Sequence, residues 1–196
     1  MGTGKRLFDI VCSSAGLIVL SPLLVVVAAL VKLGDGGPVF FLHERVGRGF
    51  RPFNVIKFRT MVTDAPGRGL SITRGGDPRI TRLGAYLRKS KLDELPQLVN
   101  VLKGEMSLVG PRPEVMKYVE AFREDFDEVL KVRPGITDYA SIMFRDEEEV
   151  LRQSDDPETM YINSVLPKKL GLNKHYIRNA GVFEDVKILF RTLLSL

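Results

Sequence analysis

Hydrophobic residues are most concentrated near the start of the chain, where residues 10–31 contain no Asp, Glu, Lys or Arg. A helix of this length is roughly 33 Å long at about 1.5 Å per residue, which is enough to cross the apolar part of a bilayer. Ser21-Pro22 lies at its midpoint, and a proline there removes a backbone donor and kinks or breaks the helix. The pattern therefore predicts a membrane-embedded segment interrupted at Ser21-Pro22.

Four interpretations fit this apolar run. It can be a kinked spanning helix, a helix–break–helix that enters and leaves by one membrane face, a secretory signal peptide, or the buried helix of a soluble protein. A signal peptide would have an uninterrupted apolar centre, which Pro22 disrupts. Basic residues mark the cytoplasmic side of membrane segments and here flank both ends of the run: Lys5, Arg6, Lys32, Arg45, Arg48 and Arg51. We therefore expect residues 1–33 to be re-entrant.

Residues 34–196 begin with a cluster of helix breakers at 34–38, which marks a boundary after the apolar segment. Their pattern predicts an α+β unit that is mostly helical with a small β-hairpin or sheet. Residues 39–42 and 53–58 are aromatic and β-branched, and the glycines at 47 and 49 between them favour a hairpin. Helical spacing predicts four helices: one capped at Asp77-Pro78, one over 95–102 ended by Gly104, one over 114–130 and one over 182–194.

Two segments allow more than one interpretation. Residues 64–76 are rich in Gly, Arg and Pro and predict a loop that can close over an anionic ligand, although most such loops do not. The apolar stripe Val182, Val186, Phe190 and Leu193 of the last helix either packs in the core, which is commoner, or rests on a membrane surface.

Composition and charge narrow the classes of protein. The single cysteine, Cys12, excludes an internal disulfide framework and a clustered cysteine metal site. The net charge of +5 combines +9 for residues 1–112 with −4 for residues 113–196. A basic first half suits phosphates, acidic lipids or nucleic acid, or is only a soluble surface. Because no nucleic-acid recognition motif is present, nucleic acid is not an expected partner.

Candidate chemistry is concentrated in residues 88–96, where Arg88, Lys89 and Lys91 precede the adjacent carboxylates Asp93 and Glu94 at a predicted helix start. Free N–H groups and the helix dipole stabilise anions there. An ionised carboxylate can attack phosphorus, provided that a cation such as Mg²⁺ and nearby arginines offset the repulsion. The simpler alternative is that Asp93 only caps the helix, and spacing alone favours it.

A second basic position follows in Pro111-Arg112-Pro113. The prolines fix φ on both sides of Arg112, and a guanidinium held in this way suits bidentate recognition of phosphate. A Pro-Arg-Pro turn without further context is usually only a loop.

Four blocks of the sequence, together with the Ser21-Pro22 segment, resemble the signature motifs of the bacterial sugar transferase family, and in particular its small monotopic phosphoglycosyl transferases, which consist of the catalytic core alone. They occur in the family's order: Lys57-Phe58-Arg59-Thr60-Met61, Leu92-Asp93-Glu94-Leu95-Pro96-Gln97-Leu98 continuing to Gly104, Met106-Ser107-Leu108-Val109-Gly110-Pro111-Arg112-Pro113, and Arg133-Pro134-Gly135-Ile136-Thr137. The resemblance covers nearly the whole chain.

The resemblance implies a catalytic dyad of Asp93 and Glu94, with Mg²⁺ bound by Asp93. It implies a ping-pong reaction in which Asp93 attacks the phosphate of a UDP-sugar, UMP leaves, and a polyprenol (undecaprenyl) phosphate takes the phosphosugar from Asp93. Arg88 and Arg112 match phosphate-contacting positions. Further substrate-binding residues expected from the resemblance are Lys57, Arg59 and Asp185.

The resemblance also implies a location at the cytoplasmic face of the bacterial inner membrane, in contact with its lipid, with residues 34–196 forming the catalytic domain. It does not say whether the chain forms a homodimer, which sugar is transferred or which polyprenol is preferred. The chain departs from the family pattern at two positions, where Glu105 replaces a commoner aspartate and Asp138 stands where many members have glycine. The second change puts expectations for the downstream region in doubt, because it alters backbone freedom as well as charge.

Overall fold

The computed structural model describes residues 2–65 and 76–195, so most of the predicted loop over 64–76 lies outside the described residues. Within them the chain is mainly helical with a small hairpin sheet, as predicted, and it has a second small sheet. The elements in chain order are α1 (Thr3–Asp35), β1 (Phe40–Val46), β2 (Pro52–Phe58), α2 (Arg82–Lys89), α3 (Gln97–Lys103), β3 (Ser107–Val109), α4 (Met116–Ala121), α5 (Arg123–Val129), β4 (Gly135–Thr137), α6 (Tyr139–Met143), α7 (Glu147–Arg152), α8 (Pro157–Met160), α9 (Leu166–Asn179) and α10 (Val182–Ser195).

The first sheet is the predicted hairpin. Strands β1 and β2 pair antiparallel with Phe40 opposite Phe58 and Val46 opposite Pro52, and a short 3-10 turn with Gly49 at φ 66° joins them. The second sheet is a parallel pair of β3 and β4 that the hydrophobic pattern did not reveal. Its strands have only three residues each, which is too short for a period-two signal.

Helix α1 is continuous through Ser21 and Pro22, so the helix is not broken there as expected. Pro22 has no N–H to donate to the carbonyl of Ile18 one turn earlier. The hydroxyl of Ser21 donates to that carbonyl at 2.8 Å and so satisfies the acceptor that the proline leaves free. Among the described residues α1 is the one helix that is long and apolar enough to cross a membrane, and only 11% of its apolar window is buried.

Both ends of α1 contact the same globular body. At the start, Asp9 accepts hydrogen bonds from the Ser107 hydroxyl at 3.0 Å and the Leu108 N–H at 3.1 Å. At the other end, Val27 and Val31 share a buried cluster with residues of β2 and α2, and Asp35 pairs with Arg59. A low buried fraction is not typical of a core helix, and these contacts are not typical of a cleaved signal peptide.

Three apolar clusters hold the rest of the chain together. One joins α4, α5 and α9 around Val119, Phe126 and Leu166, and a second joins β2, α3, β3 and α10 around Val101, Val109 and Ile188. The third is the cluster that holds the C-terminal half of α1. Because the second cluster lies beneath β3 and α3, it supports the segments that carry the two carboxylates and Arg112.

Two predictions about helices differ from the structure in their caps or bounds. The cap of α2 is Thr81, whose hydroxyl accepts from the Gly84 N–H at 2.9 Å, whereas Asp77 lies outside the helix and accepts from the Arg79 N–H. The helix expected over 114–130 is divided into α4 and α5 at Phe122, where φ is −125° and ψ 42°. A period-3.6 pattern continues across such a bend, because the apolar face is preserved.

Helix α10 packs through Asp185 and Ile188, and its predicted inward stripe points outward instead. Phe190 and Leu193 are 62% and 68% exposed, and Phe183 is 85% exposed. The interpretation of the stripe as core packing is therefore wrong in the described chain. The helix was correctly identified, but its buried face contains Asp185, Ile188 and Thr192, and it is held by the pair of Asp185 with Lys5 and the contact of Thr192 with Thr137.

Candidate active site

The two adjacent carboxylates lie on a 3-10 turn, Leu92–Glu94, between α2 and α3. The residue before it, Lys91, has φ 55° and ψ 15°, a left-handed conformation that is uncommon for a residue other than glycine. This turn reverses the chain, so that Asp93 and Glu94 face different surroundings although they are neighbours. Asp93 does not cap α3, whose first turn follows Pro96 and has no side-chain cap.

Asp93 is buried, and its Oδ1 atom has no hydrogen-bond partner. Burial raises the pKa of Asp93, and the negative charge of Glu94 contributes in the same direction. Lys57, Arg88 and Lys91 oppose this rise in pKa, because all three are close enough for their positive charges to favour the ionised form. A buried carboxylate oxygen without a donor is energetically unfavourable and is available to a ligand or cation.

Glu94 is held by two cations. The amino group of Lys57 donates to its Oε1 at 2.9 Å, and the guanidinium of Arg112 donates to both carboxylate oxygens, one at 3.1 Å. Burial alone would raise the pKa of Glu94, but the charges and hydrogen bonds of Arg112 and Lys57 hold it well below its usual value. Glu94 therefore remains ionised, whereas its neighbour Asp93 is more easily protonated.

Arg88 extends from α2 toward this turn. Its Nε donates to the Thr60 hydroxyl at 2.9 Å, and its NH1 donates to Glu148 at 2.8 Å. Glu148 belongs to the acidic run 146–149, and its carboxylate reaches Arg88 from α7. The structure thus brings together Asp93, Glu94, Arg88, Arg112 and Lys57 from three separate sequence blocks.

The turn that contains Arg112 is fixed by the parallel pair of β3 and β4. Gly110 and Gly135 approach so closely that a Cβ added to Gly135 would lie 2.1 Å from the Gly110 nitrogen. Asp138, the residue that departs from the family pattern, caps α6 by accepting from the Ser141 N–H at 2.6 Å and also accepts from the Arg112 N–H at 3.2 Å. This aspartate therefore orients the backbone of Arg112, a role that the motif comparison did not predict.

A cavity of about 620 Å³ begins beside the carboxylates, where Lys91, Glu94 and Arg112 line it. Asp93 is not among its lining residues. Two buried polar atoms without partners, Ser141 Oγ and Asn173 Oδ1, belong to residues that also line it. Its volume is within the range of about 300 to 1,000 Å³ that is usual for small-molecule sites.

The carboxylate pair suits Mg²⁺ only with help from a substrate. In the described part of the chain no group of three or more His, Cys, Asp or Glu residues could hold a metal. Both oxygens of Glu94 are already occupied by cations, which leaves the unpartnered Oδ1 of Asp93 as the oxygen with free capacity. Since Mg²⁺ is commonly held by one or two carboxylates together with waters and substrate phosphates, this donor set is compatible with it.

Two residues expected at the site are held elsewhere. Arg59 pairs with Asp35 and donates to the carbonyls of Pro38 and Met61, so it fastens the end of α1. Asp185 is fully buried and pairs with Lys5, and it accepts from the Tyr176 hydroxyl at 2.6 Å.

Lys5 and the Tyr176 hydroxyl also donate to the carbonyl of Val109, at 3.0 and 3.1 Å. Asp185 therefore contributes to a network that joins α1, α9 and α10 to the strand before Arg112. A buried ion pair between residues 180 positions apart has no local signal in the sequence.

The fold and the site together define a membrane-associated domain whose cavity ends at a cluster of carboxylates and cations. Residues 2–196 match the family described as bacterial sugar transferase. Similar curated proteins include the UDP-N-acetylgalactosamine-undecaprenyl-phosphate N-acetylgalactosaminephosphotransferase of Aeromonas hydrophila, 37% identical over 98% of this chain and 43% of the relative. The UDP-glucose:undecaprenyl-phosphate glucose-1-phosphate transferase of Escherichia coli is 37% identical over 97% and 39%.

The exopolysaccharide production protein ExoY of Rhizobium meliloti is 36% identical over 98% of this chain and 84% of its own length. The chain thus spans less than half the length of the first two relatives and most of the third. It belongs to the bacterial sugar transferase family, and the resemblance inferred from the four motif blocks is confirmed.

Proposed function

We propose that this chain transfers a sugar 1-phosphate from a UDP-sugar to undecaprenyl phosphate, with release of UMP, through a phosphosugar bound covalently to Asp93. The observation that carries the proposal is that two adjacent carboxylates have different surroundings and pKa values shifted in opposite directions. Burial raises the pKa of Asp93, whereas Arg112 and Lys57 hold the pKa of Glu94 well below its usual value, and such divergence between neighbouring groups typically accompanies a division of catalytic roles.

In this scheme an oxygen of Asp93 attacks the sugar-linked phosphorus, and the bond to the UMP oxygen breaks. Asp93 is 6% exposed, so the turn Leu92–Glu94 has to shift as the nucleotide sugar binds. An oxygen of undecaprenyl phosphate then attacks the same phosphorus and frees the aspartate. Glu94 positions Lys57 and Arg112, and since it stays ionised it is better suited to that task than to donating a proton.

Mg²⁺ bound to Asp93 and to the diphosphate would offset the repulsion between two anions and withdraw charge from the reacting phosphate. The charge of Arg88 acts on Asp93 and the guanidinium of Arg112 contacts Glu94, and a guanidinium suits bidentate phosphate binding.

Incubation with a panel of UDP-sugars in the presence of Mg²⁺ is expected to release UMP for at least one sugar, and EDTA is expected to abolish the release. Liquid chromatography of the nucleotides measures both results, and excess Mg²⁺ added after EDTA serves as the control. Release that continues unchanged in EDTA would contradict the metal part of the proposal. No release from any sugar would contradict the transfer itself.

We also propose that α1 is re-entrant and that the domain lies on the cytoplasmic face of the inner membrane. Both ends of α1 are attached to one globular body, whereas its middle exposes large apolar side chains, with Ile18 and Val19 each 74% exposed. A straight crossing would place the two ends on opposite sides of the bilayer. A bend at Pro22 allows the middle to enter the bilayer while both ends stay at one surface.

Single cysteines introduced at Thr3 and Gly36, in a Cys12→Ser background, test this topology. Both positions are exposed. A membrane-impermeant maleimide is expected to label both in inside-out vesicles and neither in intact spheroplasts. Labelling of the two positions from opposite sides would refute the re-entrant arrangement.

A further inference from the structure

Part of the apolar lining of the cavity comes from the two helices that expose apolar side chains to the surroundings. Helix α1 contributes Cys12, Gly16 and Leu20, and α10 contributes Leu189 and Leu193; we call these five residues the α1–α10 wall. The two helices touch each other. Because Leu193 is 68% exposed and lines the cavity, the wall continues into the exposed apolar surface of both helices. A molecule dissolved in the bilayer therefore meets a continuous apolar path into the cavity.

The lining of the cavity also includes a cation that is not engaged. Lys91 is exposed and lines the cavity beside Glu94, and it has no ion-pair partner within residues 2–65 and 76–195. The other cations around the turn are paired, since Lys57 and Arg112 hold Glu94 and Arg88 holds Glu148. Lys91 is thus the charge near the carboxylates that is free to meet a further anion.

The acidic residues that line the cavity repel an anion less than free carboxylates would, because they have ion-pair or hydrogen-bond partners. Glu94 is neutralised by two cations, Glu114 pairs with Arg45, Glu147 pairs with Lys169, and Glu148 pairs with Arg88. Asp138 accepts hydrogen bonds from the Arg112 and Ser141 N–H groups. The cavity consequently offers both an unpaired positive group and apolar side chains. This combination suits a single-chain lipid phosphate.

We propose that the cavity binds the phosphate end of the polyprenol phosphate, with Lys91 contacting the phosphate and the α1–α10 wall holding the isoprene units next to it. The inference rests on the proposed function for the identity of the lipid. A volume of about 620 Å³ accommodates only part of a long polyprenol, so the remaining units stay in the bilayer. Recognition is therefore confined to the phosphate and the nearest isoprene units.

Cys12 makes the wall directly measurable, because it is the single cysteine of the chain. Undecaprenyl phosphate is expected to slow the alkylation of Cys12 by N-ethylmaleimide, in detergent micelles, by about tenfold at saturation. Undecaprenol without a phosphate should protect less, and the UDP-sugar should not protect. Cys12→Ser gives the background of labelling elsewhere.

Substitutions of Lys91 test the phosphate contact. Lys91→Asn removes the charge but keeps a residue that tolerates a left-handed backbone, and Lys91→Arg retains the charge. Lys91→Asn is expected to raise the undecaprenyl phosphate concentration for half-maximal turnover about tenfold or more, since hydrogen bonds to charged groups contribute that much to binding. Lys91→Arg should restore most of the affinity. The matched control is Lys89→Asn, an exposed lysine outside the cavity, which should change little.

The possible outcomes separate the lipid site from the reaction. Equal protection of Cys12 by phosphatidylglycerol would assign the cavity to bilayer lipid, and protection by the UDP-sugar alone would assign it to the nucleotide; either result overturns the proposal. An unchanged lipid dependence in Lys91→Asn would overturn the role of Lys91. If no UMP is released by the wild type, the proposed function fails, yet specific protection of Cys12 by the lipid phosphate would still be seen.

Discussion

Asp93→Asn is expected to lower turnover by about four orders of magnitude or more, because removal of a covalent nucleophile typically has an effect of that size. The amide is nearly isosteric with the carboxylate but cannot attack phosphorus. Steady-state transfer to undecaprenyl phosphate, measured with the UDP-sugar that the wild type uses, gives the ratio.

The loss of activity in Asp93→Asn is informative only if the variant is folded, and its melting temperature checks this. Burial raises the pKa of Asp93 above its unfolded value, so the folded state binds this proton more tightly, and ionisation at neutral pH lowers the free energy of unfolding. Asp93→Asn removes that effect, so its melting temperature should equal or exceed that of the wild type. Near-normal turnover by a correctly folded Asp93→Asn protein would refute a covalent role for this residue.

Glu94→Gln is expected to damage both stability and activity. It leaves Lys57 and Arg112 without their common anion in a partly buried site, and removing one partner of a buried ion pair costs about 3 to 5 kcal/mol. We expect the lower end of that range because solvent reaches Lys57 and Arg112. Thermal or urea unfolding in detergent gives the change in the free energy of unfolding, and the same samples give turnover.

The control for Glu94→Gln is Glu149→Gln, which breaks the exposed pair of Glu149 with Arg152 one turn away. Exposed pairs contribute little to stability, so this variant should unfold like the wild type. If Glu94→Gln were as stable as Glu149→Gln, Glu94 would not be the anion that holds Lys57 and Arg112 in place.

Local signals in the sequence were sufficient for several elements. The hairpin of β1 and β2 followed from two β-branched runs around glycines, and Gly104 ends α3 at φ 83° as predicted. The motif blocks also identified Asp93, Glu94, Lys57, Arg88 and Arg112, which the fold brings together. These features depend on neighbours in the chain or on residues that a family pattern marks.

Features that depend on distant contacts were not predictable in this way. The pairing of Lys5 with Asp185, and of Asp35 with Arg59, joins segments whose proximity only the tertiary fold defines. The outward stripe of α10 has the same origin, because packing against α1, α6, β3 and β4 buries the face that contains Asp185 and Ile188. Lys91 lies outside the motif blocks and was noted only within the basic cluster before the carboxylates; the role proposed for it follows from its position at the cavity.

The most direct test of the central claim is the intact mass of the protein after exposure to the UDP-sugar panel with Mg²⁺ and without lipid phosphate. The account predicts that wild-type protein gains the mass of one phosphosugar, that undecaprenyl phosphate removes it, and that Asp93→Asn gains nothing. Active wild-type protein that never carries the adduct, or an Asp93→Asn variant that carries it, would contradict the account.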